Sequence, residues 1–254
     1  MVDLAAPDFR ALPDDFTYVL HLAASIEMST DFDHALRVNA EGTGLLMNHC
    51  RRARGFLVMS TCGVYAPAAD PYYPIKETDP LGGSVMRYSP TYAVSKTGQE
   101  AVARFVARQL TLPTTIARMN VSYGPNGGLP AMQFRRMLEG KPVTIVPDRR
   151  SICNPIYQDD INAQAVGMLA AASVPATIVN WAGDEAVDVQ DYCRYMAEIA
   201  GLRAEFRSVP CETEHLSLDN TRRRELVGPC QVKWRDGMRR MIAARHPDIK
   251  LRGQ

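Results

Sequence analysis

The 254-residue sequence has no apolar run approaching the ~20 residues a membrane-spanning helix needs, so no such helix is expected. Its five histidines show neither H-x-x-x-H nor H-E-x-x-H spacing, and its six cysteines (50, 62, 153, 193, 211 and 230) form no C-x-x-C pair. No metal site is therefore expected. Cysteines this dispersed, with no secretory leader at the head of the sequence, predict reduced thiols in a cytoplasmic protein. A charge excess is also lacking: Lys and Arg number 29 against 28 Asp and Glu, a net charge of +1, which gives no reason to expect a nucleic-acid partner. The densest basic run is Arg222-Arg223-Arg224, read either as a solvated helix start or as a phosphate contact.

What is present is an alternation of apolar strand runs and helical periodicity, with enough residues for one compact domain and a smaller lobe. Strands are predicted near 17–23, 56–60, 114–120, 143–146, 154–157, 176–182 and 204–209. Helices are predicted near 31–53, 89–110, 129–139, 158–173, 188–200, 221–227 and 234–245, with Asp188 capping one that Gly201 ends. Alternation of this kind implies an α/β fold with a parallel sheet and right-handed crossovers. Residues 66–88, rich in Pro, Asp and Gly, read as a long loop suited to a lid.

Ser89-Pro90-Thr91-Tyr92-Ala93-Val94-Ser95-Lys96 is the most informative stretch. Ser89 suits an N-cap, Pro90 suits a first helical position, and Tyr92 and Lys96 at i and i+4 share one face. A phenol beside a cation is a way to make tyrosine a proton donor or acceptor near neutral pH. Lowering its pKa from about 10 to about 7 requires roughly 4 kcal/mol. One charge at ~4 Å in an effective dielectric of ~20 supplies about that. With 10 tyrosines and 5 lysines, chance alone would give about 0.2 such pairs, so the surroundings decide. Phe56-Leu57-Val58-Met59 precedes the pair and ends in the hydroxyls of Ser60 and Thr61. Thr114 to Val121 follows it and closes on Gly124-Pro125. Two buried strands flanking one helix make a βαβ unit, which places functional groups at the carboxyl ends of its strands.

These segments resemble the extended short-chain dehydrogenase/reductases, the NAD-dependent epimerase/dehydratase family. The resemblance runs from Val2-Asp3-Leu4 through His21-Leu22-Ala23-Ala24, Val38-Asn39-Ala40-Glu41-Gly42-Thr43, Ser60-Thr61-x-x-Val64-Tyr65, Tyr92/Lys96 and Arg118-Met119-Asn120-x-x-Tyr123-Gly124-Pro125. It closes on Ile156-Tyr157-Gln158-Asp159-Asp160 and on Asp219, Arg224 to Gly228, and Trp234 to Gly237. It implies a Rossmann-like doubly wound parallel sheet with a smaller C-terminal substrate lobe. Residues 1–127 would be a partial NAD(P)-binding domain with the catalytic residues, and 128–254 mixed sheet strands and substrate-binding lobe. By the same resemblance Tyr92 is the catalytic acid/base, Lys96 its cationic neighbour and ribose contact, and Thr61 the hydrogen-bond partner of the reacting oxygen. Asp3, Leu4, Ala23, Ala24, Asn39 and Ser60 would line NAD or NADP. Asn120 would face a small-molecule substrate or cap a turn, with Arg149 or Arg150 serving a substrate nucleotide. Helices near 31–53 and 89–110 would pair in a homodimer.

The family's Gly-x-x-Gly-x-x-Gly loop should lie well before Ala23, yet none of residues 1–22 is glycine. The expectation is a truncated fold whose strand at 17–23 forms an exposed apolar edge. A fragment or misassigned start, a natural short form that self-associates, and a second chain supplying the missing half stay open. Gly124-Pro125-Asn126-Gly127-Gly128 follows a later strand and reads as a loop. The family's 4,6-dehydratases follow their threonine with Asp-Glu; here stand Cys62 and Gly63, which argues for epimerisation or ketone/alcohol hydride transfer over dehydration. The alternative is a non-catalytic member acting as a binding or interaction module.

Overall fold

The computed structural model describes residues 2–82, 89–210 and 215–253. Part of the loop read as a lid (83–88) and Cys211 lie outside the described residues; the other five cysteines are free thiols. The first half of the chain runs β1 (Tyr18–His21), α1 (Phe32–Leu36), a π turn (Arg37–Glu41), α2 (Gly42–His49), β2 (Gly55–Thr61), a 3-10 turn (Cys62–Val64), α3 (Tyr92–Gln109) and β3 (Thr114–Met119). Next come β4 (Ser122–Gly124), β5 (Gly127–Gly128), α4 (Leu129–Leu138), β6 (Val143–Ile145), β7 (Ile152–Cys153), β8 (Ile156–Tyr157) and α5 (Gln158–Ala170). The chain ends with β9 (Thr177–Trp181), β10 (Val187–Asp188), α6 (Val189–Ala200), β11 (Phe206–Ser208), α7 (Thr221–Val227) and α8 (Trp234–Arg245).

The fold is α/β, as the alternation implies. Its central sheet has the order β1-β2-β3-β9, all parallel. Strand β2 is an unbroken apolar run because both of its faces are covered. Phe56 and Val58 pack with Met47 of α2 and Ala103 and Ala107 of α3, while Leu57 joins Met168 of α5 and Val179 and Trp181 of β9. A fully buried side chain of this size contributes roughly 1.5–3 kcal/mol, so β2 anchors both helical layers. A second core of Tyr123, Phe134, Tyr192, Met196, Trp234 and Met238 fills the lobe formed by α4, α6 and α8.

The expected long helices and strands are present, and Asp188 caps α6 by accepting the Gln190 amide (2.9 Å) while Gly201 ends it at φ 70°. Sequence periodicity did not signal β4, β5, β7 or β10, which are two or three residues long and carry no readable alternation. The glycine loop after β3 is the hairpin β4–β5; a Cβ on Gly128 (φ 101°) would lie 2.2 Å from the Ser122 carbonyl oxygen. Neither reading of the arginine run holds for its middle member. Arg223 is fully buried and donates to Asp184 (2.5 Å) and to the Gly228 and Ala182 carbonyls (2.6 and 3.1 Å).

Among the described residues β1 pairs with β2 alone, and Tyr18 and Leu20 register with Gly55 and Leu57 on the α5 face. Tyr18, Leu20 and Leu22 are about half exposed (55, 48 and 58%), the apolar edge that the sequence implies. The opposite face is closed. His21 is buried with its ring edge-on to Phe56, and its Nε2 lies 2.7 Å from Thr43 Oγ1. Thr43 spends its proton on the Asn39 carbonyl (2.6 Å) and already accepts from Gln99 (2.9 Å), so His21 Nε2 carries the proton it donates. Burial, with Lys96 nearby, pulls the His21 imidazolium down to about 4. The unfolded chain therefore takes up a proton near pH 6.5 that the folded chain refuses until about pH 4. Stability should fall by about 3 kcal/mol as pH drops through that window. Urea unfolding at half-unit pH steps should show this slope, and His21→Gln should flatten it between pH 6.5 and 4.5.

Candidate active site

The carboxyl end of β2, which carries Ser60 and Thr61, and the start of α3, which carries Tyr92 and Lys96, meet where Lys96 reaches the Met59 carbonyl. Helix α3 begins at Tyr92, two residues later than a Ser89 cap implies. Ser89 does not cap with its side chain: its hydroxyl donates to the Glu27 carbonyl (3.0 Å), and its own carbonyl accepts the Tyr92 amide (3.1 Å). Ser89 thus ties the helix start to the loop after β1. Tyr92, half-buried, occupies the first helical residue, and Lys96 one turn later places Nζ 5.9 Å from the tyrosine ring centroid.

Lys96 is buried and donates to the Met59 carbonyl of β2 at 2.5 Å. Burial pulls its ammonium down to about 8, and the Glu100 carboxylate opposes that fall. Thr61, the last residue of β2, accepts the Gly63 amide (3.1 Å) on its hydroxyl oxygen. That contact uses a lone pair and not the proton. Beside it, burial pushes the Cys62 thiol up to about 11, which suits an unreactive packing residue. The other hydroxyl, Ser60, points the opposite way and donates to Glu100 (2.6 Å).

Asn39 sits in the π turn, an irregularity that recurs at functional positions. Its Oδ1 accepts the Ser25 amide (2.7 Å), and its Nδ2 donates to the Ser25 carbonyl (3.0 Å) and to Ser95 Oγ (2.9 Å). Ser95 in turn donates to the Tyr92 carbonyl (3.0 Å). One buried carboxamide therefore locks the loop after β1 against the helix that carries Tyr92 and Lys96. Ala23 and Ala24 lie on that loop, exposed and half-buried. Asp3 is exposed and accepts the Ala5 amide (2.9 Å), while Leu4 packs on α2 where a Cβ on Gly42 would meet its carbonyl oxygen at 2.8 Å.

The remaining candidates stand farther out. Asn120 follows β3, accepts the Val121 amide (2.8 Å) and donates to the Leu216 carbonyl (2.7 Å). Arg149 donates to the carbonyls of Ala68 and Ala69, fastening the long loop, and Arg150 pairs with Asp188 at 3.0 Å.

Sequence reasoning missed Glu100 as a site residue and took Arg118 only as part of the motif that closes β3. The two form a bidentate pair with side chains 3 and 2% exposed: Arg118 Nε to Oε1 at 2.9 Å and Nη2 to Oε2 at 2.7 Å. Burial works against the Arg118 charge, yet Glu100 holds its pKa above the ordinary arginine value. The available signal was spacing: Tyr92, Lys96 and Glu100 recur every four residues. Removing one partner of a buried pair strands the other charge, so Arg118→Met should cost about 3–5 kcal/mol in denaturant unfolding. The Glu100→Gln/Arg118→Met double variant should regain most of that loss.

A model of the NAD dependent epimerase/dehydratase family matches residues 2–182. A trifunctional UDP-glucose 4,6-dehydratase/UDP-4-keto-6-deoxy-D-glucose 3,5-epimerase/UDP-4-keto-L-rhamnose-reductase of Arabidopsis thaliana is 23% identical, over 94% of this chain and 38% of that protein. A dTDP-D-glucose 4,6-dehydratase of Dictyostelium discoideum is 28% identical over 56% of this chain and 36% of its own length. The chain thus spans under two fifths of the curated relatives it matches. In fold it is similar to UDP-glucuronic acid 4-epimerase from Bacillus cereus, solved with UDP-glucuronic acid and NAD, at TM-score 0.82 and 24% identity over 96% of this chain and 80% of that one. It is also similar to RMD from Pseudomonas aeruginosa, solved with NADPH, at TM-score 0.78 and 21% identity over 97 and 88% of the two chains.

Proposed function

The chain belongs to the NAD dependent epimerase/dehydratase family, and from that premise we propose that it carries the reaction centre of an NAD(P)-dependent oxidoreductase or epimerase. Its substrate would be a secondary alcohol or ketone of a sugar nucleotide. The observation that carries this reading is Lys96, one turn from Tyr92, reaching the Met59 carbonyl near the end of β2 that Thr61 closes, with Asn39 bracing the same helix through Ser95. The substrate class draws on the UDP- and dTDP-sugar enzymes to which the chain is similar.

The residues fit one half of a dinucleotide. A buried ammonium beside a half-buried phenol, with an Asn-braced loop opposite, suits a nicotinamide ribose. The pyrophosphate half finds no glycine cradle among residues 2–22. When bound, the nicotinamide supplies the hydride acceptor and donor. The Tyr92 oxygen takes the hydroxyl proton as an alcohol becomes a ketone and returns it on reduction. Lys96 favours the phenolate that this exchange creates, and Thr61 donates a hydrogen bond to the reacting oxygen. Cys62 and Gly63 offer no acid or base for loss of water, which supports epimerisation or simple hydride transfer over dehydration.

The test is turnover with NAD(H) or NADP(H), measured on this chain and on one with a glycine-loop βαβ segment fused ahead of Val2. A panel of UDP- and dTDP-hexoses and simple ketones should change absorbance at the reduced nicotinamide band. Tyr92→Phe should remove most of kcat because it deletes the proton and keeps the ring. Lys96→Met should move the pH–rate profile to higher pH, and Thr61→Val should lower kcat more mildly. Near-full turnover with Phe at 92 sinks the mechanism, and silence across the panel favours a non-catalytic binding module.

Self-association belongs to the same reading. Leu45 on α2 and Val94 and Phe105 on α3 are exposed (49, 51 and 64%), and two copies joined through these helices would cover them. Light scattering at tens of micromolar should report a dimer that Phe105→Glu converts to monomer; a monomeric parent protein would refute it.

A further inference from the structure

The stripe that carries the proposed catalytic pair continues one turn further, to a carboxylate. Tyr92, Lys96 and Glu100 stand at i, i+4 and i+8 of α3. Glu100 is 2% exposed, and every oxygen it presents is engaged: Oε1 accepts Ser60 Oγ (2.6 Å) and Arg118 Nε (2.9 Å), and Oε2 accepts Arg118 Nη2 (2.7 Å). Arg118 is fixed from behind by the Tyr65 ring, 4.6 Å from its guanidinium carbon, and by the Glu77 carbonyl (3.1 Å). Ser60 lies between Met59, whose carbonyl takes the Lys96 ammonium at 2.5 Å, and Thr61.

Resting on the reading that Tyr92 and Lys96 form the reaction centre, we propose that Glu100 is its positioning residue. Clamped by Arg118, it holds the end of β2 through Ser60 so that the Met59 carbonyl anchors Lys96 beside Tyr92, and it keeps a negative charge one turn from the ammonium.

The charge matters because, among the described residues, the other groups around Lys96 do not replace it. On its own helix the neighbours are Tyr92 and Glu100. From β1 comes His21, held neutral, and from β3 Arg118, already paired with Glu100. Strand β2 and the 3-10 turn contribute Ser60, Thr61 and the un-ionised Cys62 thiol. The charged residues of α1 and the π turn (Asp33, Arg37 and Glu41) face solvent, and His49 of α2 stacks on Phe9. Glu100 is thus the acidic group that offsets burial of the ammonium, whose midpoint of about 8 leaves it charged at neutral pH.

The experiment is a titration of Lys96 itself, by carbon NMR of protein labelled with ε-13C-lysine. Lys96→Met assigns its signal among the five lysines. Glu100→Gln should lower the Lys96 midpoint by about one pH unit, to near 7, leaving the other four lysines unmoved. Should that single variant fold poorly, Glu100→Gln/Arg118→Met keeps the fold and should still lower the midpoint, by about 0.5 pH unit, because loss of the Arg118 charge offsets part of the loss of Glu100. A folded double variant whose Lys96 midpoint stays within about 0.3 pH unit of the parent value overturns the proposal, since a merely structural ion pair would leave the titration in place. The measurement needs no cofactor, substrate or turnover, so its failure is distinct from failure of the functional reading.

Discussion

A buried ammonium sits where α3 crosses the end of β2, held by the Met59 carbonyl with Glu100 one turn away. An unpaired ion in a protein interior costs several kcal/mol, so a chain that buries one must supply compensation close by. For Lys96 that compensation is one carbonyl oxygen and one carboxylate a turn away, itself neutralised by Arg118. The balance is only partial, which is why the ammonium titrates near 8 rather than above 10. A cation kept close to its titration point can respond to a phenol that changes charge beside it. A fully satisfied ion pair could not.

The same end of the sheet uses carboxamides where charge would be costly. Asn39 braces the loop after β1 against α3. Asn120, Asn154 and Asn180 reach to the Leu216 carbonyl, the Leu218 amide and the Asp219 carbonyl, pinning one short segment at three points. Each amide satisfies backbone groups that no strand or helix pairs, at a site where parallel strands end together. This separates two jobs. Asparagines hold the loops, and the Lys96–Glu100–Arg118 charges set the electrostatics.

How much of this was legible in the sequence follows from the range of each signal. The helices and main strands were readable because period and capping are local, as with Asp188 and Gly201 around α6. The pairing of Tyr92 with Lys96 was readable because four-residue spacing fixes a shared face. What could not be read were contacts whose partners lie far apart in sequence. Ser60 donating to Glu100 spans 40 residues, and Arg149 reaching the Ala68 and Ala69 carbonyls spans 81 and 80. Ser89 misled because a serine before a helix is a cap by local rules, whereas here the Glu27 carbonyl captures its hydroxyl.

The open edge of the sheet and the site are structurally independent, although both involve β1. Tyr18 and Leu20 project toward the α5 face, whereas His21 projects toward α2 and α3 and donates to Thr43. Thr43 donates to the Asn39 carbonyl, and Asn39 positions Ser25 and Ser95. The chain of contacts that reaches Tyr92 therefore leaves β1 from its closed face. Side-chain period two in a strand assigns alternate residues to opposite faces, so whatever covers Tyr18 and Leu20 need not disturb His21. The contacts that brace the start of α3 are thus in place while the edge beside them stays exposed.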